Sequence, residues 1–172
     1  MEATALKLLE EGASLLAPLT EHGRSPLMMA AHAGRLDLAA SIAQSAGDAL
    51  HIAEIRELMA LGVKHREVEA SLATTAAAPP KWYRAWREGN KQTGMNGVVI
   101  AALEAAKSVT ERECGELLEL AVHDGLGDVV AALVKRGAKV DGRALHKVIL
   151  HASTYSTDFV RSYCLAGHRV SP

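Results

Sequence analysis

The sequence predicts an all-α fold built from short, closely packed helices. Three observations lead there. Hydrophobic residues make up 49% of the 172 positions while aromatics make up only 3%, so the apolar content is mostly Ala, Leu and Val. That balance suits tight helix packing and is poor for a β-sandwich, which wants aromatic and β-branched residues. Glycines also punctuate apolar runs at helix-length intervals, most clearly at Gly34 and Gly125. Finally, polar residues that favour helix N-caps stand just before two of those runs, at Ser25 and Thr110.

The clearest stretch is Gly23 to Leu38, GRSPLMMAAHAGRLDL. Ser25 is placed to cap a helix, and Pro26 fits its first turn, where a missing N–H costs nothing. Leu27, Ala30 and Ala31 give a narrow apolar face. Gly34 can adopt the left-handed conformation that ends the helix, and Leu36-Asp37-Leu38 opens the next. The expected pair is therefore Pro26–Ala33 and Leu36–Ser45, closed by Gly47. Upstream, Ala3 to Glu11 reads as an amphipathic helix ended by Gly12-Ala13.

The far end carries a related pattern, Leu117 to Asp141, LLELAVHDGLGDVVAALVKRGAKVD. Gly125 aligns with Gly34, Asp128-Val129-Val130 opens a second helix, and Leu133-Val134 fill its core. Thr110 with Glu113 three residues later forms a capping box. A third copy runs over 142–170, with Ala144-Leu145-His146 at its start and Asp158-Phe159-Val160 opening its second helix.

Between these ends the pattern is less regular. Ile52–Leu61 reads as an amphipathic helix stopped by Gly62, and His65–Ala73 as a second one. Residues 74–80, TTAAAPP, read as a break. Lys81 to Arg87 is a short basic helix with Trp82, Tyr83 and Trp86, and Gly94–Lys107 is an Ala-rich helix.

The segment SPLMMAAHAG resembles the ankyrin repeat, whose core is a turn followed by TPLHxAxxxG. Ser25, Pro26, Leu27, Ala30, Ala31 and Gly34 stand on the family positions, and Met28 departs from its usual His. KLLEEGA at Lys7–Ala13 and the Gly137-Ala138 pair look like the family's second-helix endings. The resemblance is clear over 23–47 and 117–141, fair over 142–170 and weak in the middle. It implies a single domain, 1–172: a short ankyrin-like helical-repeat solenoid with N-terminal repeats at 1–47, an irregular central helical segment at 48–109 and C-terminal repeats at 110–172. It also implies a module that binds a partner protein on hairpin tips and first-helix ends. The positions mapped there are Glu21, His22, Arg24, His32 and Ala33, then His123 and Asp124, then Arg143. Trp82, Tyr83, Arg84, Trp86 and Arg87 add an aromatic–Arg cluster of the type that anchors interfaces. Filling a bulky joint between irregular repeats is an equally good account of the two Trp rings.

A second reading competes in the middle. Leu58 to Thr75, LMALGVKHREVEASLATT, resembles the first part of a bacterial helix-turn-helix, so residues 54–88 could form a DNA-binding regulator. The position of the base-reading helix, however, holds Ala76-Ala77-Ala78-Pro79-Pro80, which offers no donors and breaks a helix.

Other classes are disfavoured. Net charge is −1, so no global field draws the chain to nucleic acid or membrane. No window has the ~18 apolar residues of a spanning helix, and the N-terminus lacks a signal-peptide pattern, which gives a cytoplasmic expectation. Cys114 and Cys164 form no metal or redox motif and read as reduced thiols, with one disulfide as the alternative. Eight histidines contain no HxxxH or HExxH spacing, so no metal site is expected. No nucleophile or phosphate-loop motif appears, no cofactor is implied, and the expectation is a non-enzyme. Ala- and Gly-rich usage suggests a bacterial or phage source, under which inhibition of a host factor is the expected role.

Overall fold

The computed structural model describes residues 24–74, 78, 94–140 and 146, and these are helical with no strand among them. Among the described residues six α-helices follow in order: α1 Pro26–His32, α2 Leu36–Ala46, α3 Ile52–Thr74, α4 Met95–Ala105, α5 Glu111–His123 and α6 Gly127–Lys135. A 3-10 turn, Gly47–Ala49, links α2 to α3. The chain divides into two compact units, with the boundary between Ser108 and Val109.

In the first unit, α1 starts as its sequence dictates. The Ser25 hydroxyl accepts from the Met28 backbone N–H at 3.4 Å, and Pro26 occupies the first turn. The helix ends because Gly34 takes φ 73°. That residue lets the Gly34 N–H reach the Ala31 carbonyl and the Arg35 N–H reach the Ala30 carbonyl. These two bonds satisfy carbonyls that a helix end otherwise leaves open. Leu27, Met28, Ala30 and Ala31 are all buried. Met28 is thus a core residue, at 1% exposure.

Helix α4 is the most enclosed of the described helices of this unit. It packs on α2 and α3, and α1 packs on α2 and α3. Met95, Val98, Val99, Ala101, Ala102 and Leu103 are buried, so α4 is enclosed around most of its circumference, as an almost uniformly apolar helix must be. The unit is also tied across a long sequence separation. The Ser108 backbone N–H donates to the Asp48 carboxylate at 3.1 Å, and the Ser108 hydroxyl donates to the Asp48 carbonyl at 3.2 Å. These bonds join the 3-10 turn after α2 to the chain just past α4.

One expectation is overturned. Gly62 does not stop a helix, and Ile52–Leu61 and His65–Ala73 are parts of one continuous 23-residue helix, α3. The reason is tertiary. Gly62 lies on the face of α3 that meets α4, where an added Cβ would stand 3.4 Å from the Met95 Cβ, at van der Waals contact, and the backbone stays helical through it. Glu54 anchors the start of α3 by accepting from the His51 backbone N–H at 3.0 Å.

In the second unit, Thr110 and Glu113 form the expected capping box. The Thr110 hydroxyl accepts from the Glu113 N–H at 3.3 Å, and the Glu113 carboxylate accepts from the Thr110 N–H at 2.8 Å. Helices α5 and α6 pack on each other, with Leu117, Leu118, Ala121 and Val122 of the first and Val129, Val130 and Leu133 of the second buried. Val134, expected in the core beside Leu133, is only half-buried. Gly125 takes φ 67° and Gly137 φ 97°, each ending a helix.

Candidate functional site

The two helix pairs, α1–α2 and α5–α6, turn in the same way. In the first, Ala33 has φ −77° and ψ −2°, Gly34 has φ 73°, and Arg35 has φ −89° and ψ 68°. In the second, Asp124 has φ −86° and ψ −2°, Gly125 has φ 67°, and Leu126 has φ −88° and ψ 71°. The hydrogen bonds match as well: Gly125 N–H to the Val122 carbonyl, and Leu126 N–H to the Ala121 carbonyl. A three-residue turn of this shape fixes what its tip presents. The last helical residue is His32 in one pair and His123 in the other.

The two histidines sit in different surroundings. The His123 side chain is 72% exposed, and its Nδ1 lies 2.9 Å from the Asp124 carboxylate, which is 17% exposed. A carboxylate that is ionised only accepts, so this bond is made by the ring form that carries a proton on Nδ1. His32 is half-buried. Burial pulls its pKa below the ordinary value, helped by the positive charges of Arg24 and Lys64 and opposed by Glu57. His32 is therefore neutral near pH 7 and can both give and take a hydrogen bond. Ala33 and Arg24 are exposed beside it.

Of the residues expected to form a binding surface, His32 and Ala33 lie at the turn that closes the α1–α2 pair, Arg24 lies before the start of α1 with its charge acting on His32, and His123 and Asp124 lie at the tip of the α5–α6 pair. Glu21, His22, Trp82, Tyr83, Arg84, Trp86, Arg87 and Arg143 lie outside the described residues. So do the third copy's helices and the expected N-terminal helix.

Sequence reading missed His65. It is 4% exposed, on α3, and burial pushes its pKa down to about 4, with the charges of His32 and Lys64 adding to the effect and Glu69 opposing it. The available signal was its place four residues after buried Leu61 on a helix now seen to be continuous. Reading a break at Gly62 hid that register.

Among the described residues, no group of three or more His, Cys, Asp or Glu side chains is arranged to hold a metal ion. Cys114 is a buried free thiol. No described helix is long and apolar enough to cross a membrane. Comparison with family models, curated proteins and solved structures finds no match to the chain.

Proposed function

We propose that this protein is a binding module of ankyrin-like repeated helix pairs that modulates or inhibits a partner protein through its turn tips. The observation that carries the reading is the shared turn: two helix pairs far apart in sequence repeat one backbone conformation and present a histidine at the same point. A turn closed by its own backbone bonds is rigid, and a rigid tip loses little entropy when it meets a partner. Small residues on the first-helix face, Ala30 and Ala31, suit stacking against a neighbouring pair. The ankyrin resemblance supplies the use such tips are put to. A bacterial or phage origin, with a host factor as target, is suggested by the Ala- and Gly-rich composition alone and belongs to the same proposal.

The DNA-binding alternative gains no support from α3. A DNA-reading segment over 54–88 wants a turn between its first two helices, and the chain is helical from Ile52 to Thr74 without one.

The test is affinity capture from cells of the source or its host, with the wild type beside a His123→Ala, Asp124→Ala double variant. Capture of a distinct protein that falls at least tenfold in the variant, with helical content unchanged, is the expected result. A captured protein indifferent to both the double variant and a Trp82→Ala, Trp86→Ala pair would remove the tips and the aromatic cluster from the proposal. Sequence-specific DNA binding with a steep salt slope would replace it with the regulator.

A further inference from the structure

Helix α3 is anchored unevenly. Its first ten residues bury Ile55, Leu58, Met59 and Leu61, while residues 62–74 bury His65 alone. Gly62, Val63, Val68 and Leu72 are half-buried, and the remaining residues of that stretch are exposed. The one enclosed side chain of the distal half is therefore one that can take up a proton.

The charges around it make that proton unwelcome. His32 bears on it from α1, which packs against α3, and Arg24 precedes that helix. From α3 itself come Lys64, whose charge opposes a proton on His65, and Glu69, whose charge favours one. Glu57 acts on His32 and favours its protonation. Helix α4, also packed on α3, carries one ionisable residue, Glu104, which is exposed. A buried imidazolium here would lose its hydration and meet the positive charge of Lys64, joined by His32 once that ring is protonated.

We propose that His65 is an acid-sensitive latch: its protonation releases the distal half of α3, residues 62–74, while the proximal half stays packed. This does not rest on the binding reading. The released side chain regains an ordinary pKa near 6.5, against about 4 when enclosed. The released form thus binds the proton more tightly, and release is favoured as pH falls below about 6.5, levelling off near 4. Between pH 7 and pH 4.5 this linkage raises the released-to-closed ratio by roughly 60-fold.

Amide hydrogen exchange of the full chain, followed by mass spectrometry and corrected for intrinsic rates, reads the effect directly. Amides of 66–74 should lose on the order of 50-fold protection between pH 7 and pH 4.5. Amides of 55–61 should keep theirs, and His65→Leu should hold 66–74 protected at both pH values. Unchanged protection in the wild type would overturn the proposal. So would equal loss along all of α3, which is global acid unfolding, or equal loss in His65→Leu, which assigns the effect to another group. Should His65→Leu not fold, His65→Gln takes its place: protection of 66–74 that no longer depends on pH supports the latch, and a loss equal to the wild type's overturns it.

Discussion

Gly34, Gly125 and Gly137 each hold a positive φ, between 67° and 97°, where an L side chain is strained. At Gly137 an added Cβ would meet nothing within 4 Å, so the strain can be measured without a clash. Gly137→Ala should lower stability by about 1 kcal/mol, read as a shift in denaturant midpoint. Gly62 is the opposite case. It sits inside a helix, and the 3.4 Å approach to Met95 leaves room for a methyl group but no more. Gly62→Ala should be neutral or stabilise by up to ~1 kcal/mol through helix propensity, and Gly62→Leu should destabilise by pushing α4 away. A loss of stability in Gly62→Ala would instead indicate a helix break there. His65 makes the first unit's stability depend on pH. Its folded pKa is below the unfolded value, so the unfolded chain binds more protons between about pH 6.5 and 4, and stability falls as pH falls through that window. The full effect is on the order of 3 kcal/mol, to be checked by urea unfolding at pH 7 and pH 4 beside His65→Leu.

Helix ends, at the next scale up, follow local chemistry closely. Ser25 and Thr110 cap α1 and α5 from the positions their sequence contexts mark, and Glu113 completes a box with bonds of 2.8 and 3.3 Å. Thr110→Ala should cost about 1 kcal/mol of the second unit's stability in a thermal melt, and Thr110→Ser should restore most of it. Surface ion pairs add little by comparison. Arg112 to Glu116 at 3.2 Å and Lys139 to Glu111 at 2.9 Å both lie largely in water, where side-chain entropy and screening offset the attraction. Helix α3 is the element that local reading gets wrong, because a mid-chain glycine after an apolar run has two physical meanings. It can end a helix by turning left-handed, or it can lie inside one on the face that meets a neighbour, as Gly62 does against Met95 of α4, more than thirty residues away.

Across the whole molecule, stability of the first unit rests on contacts between distant parts of the chain. Helix α4 covers α2 and α3, and the Asp48–Ser108 bonds fasten the chain just past α4 to the 3-10 turn after α2. Ala39 and Ala43 of α2 are fully buried, so the space beside that helix is filled. Ala39→Leu should destabilise by roughly 1–3 kcal/mol through overpacking, visible as a lower Tm of the first unit. The second unit, described by α5 and α6, has its own core of Leu117, Leu118, Ala121, Val122, Val129, Val130 and Leu133. Of the candidate surface, the sequence made the two tips legible because their glycines and preceding histidines lie close together along the chain. Their differing chemistry was not legible. Asp124 follows His123 directly, but the burial of His32 and its field from Lys64 come from another helix.

What the amino-acid order determined by itself is the helical character, the caps, and the glycine turns that close α1–α2 and α5–α6. Each is set by interactions spanning a few residues, so it is written in adjacent letters. Tertiary structure alone decided that α3 runs unbroken through Gly62, that α4 is the most enclosed of the described helices of its unit, and that His65 is enclosed. Those outcomes depend on which helix faces reach one another, and burial by a remote segment leaves no local trace.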